Sequence, residues 1–236
     1  MAFDLNVGIA ENPELAGKVI SGQWYTNPKL QASGMSVLKR HSFTCVACGF
    51  VTRPSRQVPH AHMIPVDPDS GRFVSLDGKG VCLCPLCAST TAINWSVVSR
   101  SLSGKEMPAP GMLIYCPYLS QVELNRIALH SVSIAASRKV GAGSLLDSAI
   151  RDLDASMVGL NHELGANLPI YRGKDSEFAR ALAMLTQPLY EQRAELLGNV
   201  RWWPTLNFWA EQGLYWSKAT YDLIHASRPD LMEAMV

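Results

Sequence analysis

Six cysteines punctuate the chain, and four of them fall into two pairs with metal-ligand spacing. Cys45-Val46-Ala47-Cys48 and Cys84-Pro85-Leu86-Cys87 are CxxC knuckles separated by 35 residues. Two such knuckles can set four thiolates at the corners of a tetrahedron, and zinc accepts that set at about 2.3 Å per sulfur because its filled d shell imposes no competing geometry. With all four positions supplied by protein, none is left for a substrate. The spacing therefore predicts one structural Zn2+ held by Cys45, Cys48, Cys84 and Cys87. Gly49, directly after the first knuckle, can take the positive φ that turns backbone amides toward the sulfurs. Cys82 is the competing ligand: a Cys82/Cys84 pair would leave Cys87 spare, but CxC is the less common knuckle. Cys116 reads as a small packed residue beside a strand.

Between the knuckles lies Pro59-His60-Ala61-His62-Met63-Ile64-Pro65. On an extended segment His60 and His62 point the same way, which suits either a second metal or acid/base site or two rings without chemistry near the zinc. Lys18, Lys29, Lys39, Arg40, Arg53 and Arg56 all fall between Glu14 and Asp67 with no acidic residue among them. Such a run suits nucleic acid or an acidic protein segment, and more ordinarily a solvated face.

The elements that must position these groups change character along the chain. The first forty residues read as an arm with one short helix over 13–20, because Asn27-Pro28 and Ser33-Gly34 interrupt any longer periodicity. Residues 41–110 are cut by prolines and glycines into short pieces, including a strand Arg72-Phe73-Val74-Ser75-Leu76 that ends in the turn Asp77-Gly78. A second strand is expected over 112–115. Ser120-Gln121-Val122-Glu123 has capping-box form and opens a helix to about 137 carrying Val122, Ile127, Leu129, Val132 and Ile134. Gly141 and Gly143 break it. Ser144 caps the next helix, whose stripe is Leu145, Leu146, Ile150, Leu153, Met157 and Leu160. A third helix over 175–198 should kink or split at Pro188.

The last helix is expected from Thr205 to about 227. Phe208, Trp209, Leu214, Tyr215, Trp216, Tyr221, Leu223 and Ile224 spread over an arc of roughly 240°, wider than the ~100° stripe that one-sided packing needs. In one reading Trp209, Trp216 and Leu223 face the core while Phe208 and Tyr215 pack under the N-terminal arm. In the other, Trp202, Trp203, Phe208 and Tyr215 form a flank for a partner, since buried aromatics dominate interface energetics.

At 236 residues with 47% hydrophobic content the chain can bury a core and is not intrinsically disordered. A formal net charge of +1 removes a purely charge-driven binder, and after residue 118 there are 13 acidic against 11 basic residues, so no phosphate track continues there. The N-terminal residues lack a signal-peptide pattern and no apolar run reaches membrane-spanning length, so a soluble, cytoplasmic protein is expected.

Two resemblances follow from these motifs. A first knuckle in Phe43-Thr44-Cys45-Val46-Ala47-Cys48-Gly49-Phe50, then Ala61-His62-Met63-Ile64-Pro65, then a second knuckle opening a helix, resembles HNH-type ββα-metal nucleases. The second half departs from that family: Lys79 or a neighbour stands where Asn is expected, and Ala88-Ser89 where the metal-binding His is expected. His62 would lack a partner to anchor a catalytic metal.

The two knuckles together with Met112-Leu113-Ile114-Tyr115-Cys116-Pro117-Tyr118-Leu119-Ser120-Gln121-Val122-Glu123-Leu124-Asn125 are similar to the IcmJ (DotN) family of type IVB secretion systems, over about residues 40–137. That resemblance implies an HNH-like zinc fold without catalysis, in a subunit that binds the C-terminal extension of a DotL-like coupling ATPase beside a DotM-like subunit and IcmS/IcmW-like adaptors. The expected fold class is α+β, a small HNH-like or treble-clef zinc module followed by an α-helical region. The expected organisation is an arm over 1–40, the module over 41–118 and the helical region over 119–236. An HNH-like nuclease or DNA-binding module is the alternative.

Overall fold

The computed structural model describes residues 3–67, 80–96, 109–137, 145–168, 171 and 174–221, with 145 and 146 described by backbone alone. The expected strand over 72–76 and its turn, the glycine break, the Ser144 cap, the side chains of Leu145 and Leu146, and Leu223 and Ile224 lie outside the described residues.

The N-terminal forty residues are more structured than an arm. Leu5, Val7 and Ala10 are buried. Gly8 exchanges backbone hydrogen bonds with Thr90 and Ile93, and the Asn94 side-chain amide pairs with both backbone groups of Ala10. Helix α1 (Pro13–Ile20) begins where expected: Asn12 accepts from the Leu15 N–H, and Pro13 occupies the first turn, where its missing donor costs nothing. Asn27-Pro28 repeats the same device. Asn27 accepts from the Lys29 N–H and opens helix α2 (Pro28–Arg40), so the pair is a helix start and not the interruption expected.

Strands β1 (Ile64–Val66) and β2 (Val81–Leu83) pair antiparallel, Ile64 opposite Leu83, and helix α3 (Pro85–Thr91) follows at once. Strand β3 (Gly111–Tyr115) lies where expected. Its partner is β4 (Val200–Pro204), with Leu113 opposite Trp202, which joins residues on either side of position 118. Trp202 and Trp203 were expected beside the last helix, in a flank for a partner. They instead form a strand of β-prone residues that ends at Pro204.

Helix α4 (Gln121–Ala136) carries the expected capping box: Ser120 Oγ accepts from the Glu123 N–H, and the Glu123 carboxylate accepts from the Ser120 N–H. Its buried face is Leu124, Ala128, Leu129 and Val132 together with the polar Gln121, Asn125, Ser131 and Ser133. Helix α5 (Leu145–Asn167) lies against β3, where Asn161 Nδ2 donates to the Leu113 carbonyl. The expected helix over 175–198 is divided into α6 (Asp175–Ala183), α7 (Gln187–Glu191) and α8 (Arg193–Leu197).

The last expected helix is also divided, into a 3-10 turn (Leu206–Trp209), α9 (Ala210–Trp216) and a π turn (Ser217–Tyr221). Gly213 lets α9 meet α4, because a Cβ there would stand 2.5 Å from the Val132 carbonyl oxygen. The architecture is thus mixed, helices with two small two-stranded sheets, around a buried cluster running from Leu5 to Trp216. Among the described residues no helix is long and apolar enough to cross a membrane.

Candidate metal centre

The first knuckle is a tight turn. The Cys45 N–H donates to the Phe50 carbonyl, the Gly49 N–H to the Cys45 carbonyl, and Gly49 takes φ +75° as its position requires. The Val46 N–H donates to the Cys82 carbonyl, which pins this turn to β2. The second knuckle is the junction of β2 and α3. Cys84 occupies the N-cap, where its sulfur accepts from the Cys87 N–H at 3.4 Å, and Pro85 fills the first turn. Each knuckle is therefore shaped by local backbone bonding, and β2 brings the two together.

The Sγ atoms of Cys45, Cys48, Cys84 and Cys87 all lie within 4.8 Å of one another, and all four residues are buried. Cys48 Sγ and Cys84 Sγ are 3.8 Å apart. Four thiolates at about 2.3 Å from a tetrahedral zinc stand about 3.8 Å from each other, so the donor set and its spacing fit that ion. These four side chains could hold a metal ion.

Electrostatics points to the same need. Burial pushes the Cys84 and Cys87 thiols well above the ordinary thiol range. At Cys45 burial also opposes ionisation, but hydrogen bonds from the Cys48, Cys84 and Cys87 thiols outweigh it and draw its pKa well down. A divalent cation among buried thiols would stabilise their ionised forms.

Cys82 is buried at the middle of β2, and among the described residues no cluster of potential metal ligands includes it. Burial first, then Cys45 and Cys48, push its thiol up. Cys116 is buried at the end of β3, and its N–H donates to the Asn199 carbonyl. The four cysteines of the two knuckles are the ones the fold brings close together.

His60 and His62 are brought together by a route other than the expected one. Residues 59–62 form a turn in which Ala61 and His62 take left-handed φ of 52° and 55°, so the segment is not extended. The buried Ala61 and Met63 fix that turn from inside. The two rings meet edge to face with centroids 5.5 Å apart. His60 also packs on Trp24 and Tyr25, and His62 on Tyr215. Burial holds both rings neutral, taking His60 down to about 4 with a further contribution from His62. Among the described residues no third potential ligand joins them.

No protein-family model matches this chain, and no curated protein matches it.

The four aromatic residues expected at a partner surface separate into two kinds. Trp202 is 3% exposed and Trp203 0%, so neither has surface to offer a partner, which corrects that expectation. The Trp203 indole N–H donates to Asp154, and the Trp202 ring packs over Gly111. Phe208 and Tyr215 are half-buried. Phe208 packs on Trp95 and Trp209, while the Tyr215 hydroxyl donates to the Arg53 carbonyl. Of the basic run, Lys18 pairs with Glu14 on the surface and the Arg40 guanidinium binds the Gly80 carbonyl.

Three residues that spacing alone did not single out complete the centre. Asn125 is fully buried and donates to Cys87 Sγ at 3.3 Å, Gln121 bonds Asn125, and Arg126 Nε donates to the Cys48 carbonyl at 2.8 Å. The available signal was a Gln and an Asn four residues apart, hence on one face of α4. A separate cleft of about 890 Å³ lies between the N-terminal segment and α6–α8, with Asp4, Glu11, Asp67, Glu191 and Arg193 in its lining. It contains none of the cysteines.

Proposed function

We propose that the chain is a zinc-stabilised, non-catalytic subunit of a type IVB secretion coupling-protein complex, similar in role to the IcmJ (DotN) family. Its work is scaffolding: the zinc fixes the knuckle loops, and the helical half offers apolar surface on which the C-terminal extension of a DotL-like coupling ATPase folds. A DotM-like subunit and IcmS/IcmW-like adaptors complete the assembly, which would sit in the cytoplasm, peripheral to the inner membrane. The supporting observation is where the resembling segment lies. Met112–Asn125 supplies β3, the capped start of α4, and the two amides nearest the cysteine cluster. A donor set of four buried sulfurs also leaves a zinc ion no open position for substrate. The β1–β2–α3 succession carrying the second knuckle agrees with an HNH-like module.

On this reading Phe208 and Tyr215 remain the contact candidates, and the 87% exposed Tyr118 of the resembling segment joins them. The full chain, mixed with the ATPase extension, is expected to elute as one complex. Phe208→Ala should weaken binding about tenfold with little change in melting temperature, as removal of a contact residue would. An HNH-like nuclease is the second reading, favoured by the adjacent His60 and His62 rings just ahead of β1. DNA nicking that needs added magnesium, manganese or nickel and disappears in His62→Ala would make it the better one. Failure to form the complex would remove the scaffold reading.

A further inference from the structure

Asn125 and Gln121 form a buried chain of amides between the cysteine cluster and the second sheet. Asn125 Nδ2 spends one hydrogen on Cys87 Sγ at 3.3 Å and the other on Thr90 Oγ1 at 3.2 Å. The Thr90 hydroxyl donates its own hydrogen to the Leu86 carbonyl, so it must accept from Asn125, which fixes the orientation of the Asn125 amide. Asn125 Oδ1 accepts from Gln121 Nε2 at 2.9 Å. Gln121 then meets Trp202 with both ends of its amide: Nε2 donates to the Trp202 carbonyl and Oε1 accepts from the Trp202 N–H, each at 2.8 Å. Gln121 thereby pairs with the outer edge of β4 as a strand would. Every donor and acceptor in the chain has a partner, with Asn125 0% and Gln121 4% exposed.

We propose that Asn125 is a positioning residue for a Cys87 thiolate bound to metal, and that the Asn125–Gln121 chain couples occupancy of the centre to the seating of β4. This rests on the zinc reading of the cysteine cluster. An N–H aimed at a thiolate stabilises the sulfur lone pairs and fixes their direction, and such outer partners of metal ligands commonly govern retention of the ion. Without the metal, the Cys87 sulfur loses the ion that would fix its direction. The Asn125 amide then has a weaker hold at one of its three anchors, and Gln121 is held to β4 with less support behind it.

The test uses the full chain loaded with Co2+. In Asn125→Ala, loss of the hydrogen bond raises the energy of the sulfur lone pairs, so the sulfur-to-cobalt charge-transfer band should move to longer wavelength. Release of the ion to a chelator should quicken about tenfold. Gln121→Leu should leave the band in place. Hydrogen exchange at the Trp202 amide should be slower in loaded than in metal-free wild type, and that difference should vanish in Gln121→Leu. If Asn125→Ala does not fold, Asn125→Asp keeps the shape while replacing the donor, and should shift the band in the same sense. An unchanged band and release rate in both Asn125 variants, or equal Trp202 exchange in loaded and metal-free wild type, would overturn the proposal. A wild type that binds no cobalt or zinc would remove the zinc reading, a different failure.

Discussion

His60 is a ring kept neutral by where it sits. Trp24, Tyr25 and His62 surround it, and its buried Nδ1 has no hydrogen-bond partner among the described residues. Folded, it takes up a proton only near pH 4, because burial and then the neighbouring His62 penalise the charged form. Unfolded, it takes one up near pH 6.5, the ordinary histidine value of about 6.5. Between those values the unfolded chain binds more protons, so the stability tied to His60 is complete above about pH 6.5 and declines as the pH falls toward 4. Allowing for the part of the ring that water reaches, the effect is on the order of 2 kcal/mol. His60→Phe keeps the ring packing and removes the titration. Denaturant midpoints of wild type and variant should stay parallel above pH 7 and diverge below 6.5, the wild type losing more. Curves parallel down to pH 4.5 would show that the ring titrates normally in the fold.

At the scale of elements, α9 approaches α4 closely at Gly213. A Cβ there would meet the Val132 carbonyl oxygen, a backbone atom that cannot turn aside. Gly213→Ala should therefore cost about 1–3 kcal/mol in chemical denaturation, the range for overpacking, and an unchanged midpoint would mean that the helices can separate freely. Elements with a local signature were legible in the sequence. The Ser120–Glu123 box and the Asn12-Pro13 start were read directly, and so were both knuckles, since CxxC spacing is local. Asn27-Pro28 is the same device as Asn12-Pro13 but looked like an interruption of periodicity. The face it serves, Gly34, Val37 and Leu38, is short and built partly on a glycine. Strand β4 was not legible because its partner β3 lies nearly ninety residues earlier, and pairing at that distance leaves no local mark. The left-handed turn at Ala61 and His62 was hidden for a related reason, as both residues normally avoid that conformation and only packing around Ala61 and Met63 imposes it. Asn125 and Gln121 were legible as one polar helix face, but their target was not.

Over the whole molecule, α4 is the member that ties the parts together. Asn125 reaches the second knuckle, Arg126 the first, Gln121 the edge of β4, and Gly213 of α9 rests on Val132. The N-terminal segment closes the other side through Gly8 and Ala10 on the end of α3 and the turn after it. A metal ion in the cysteine cluster would therefore stand near the middle of one buried cluster and not in a detached module, and its loss should be felt well beyond the knuckles. Because four neighbouring thiolates bind zinc tightly and binding is coupled to folding, the most direct measurement is the metal content of the purified chain and its Cys→Ser variants. One zinc per chain is expected in wild type and in Cys82→Ser, with loss of the metal and increased proteolysis when Cys45, Cys48, Cys84 or Cys87 is replaced. A well-folded chain without metal, or a Cys84→Ser variant that keeps its zinc while Cys82→Ser loses it, would contradict the account.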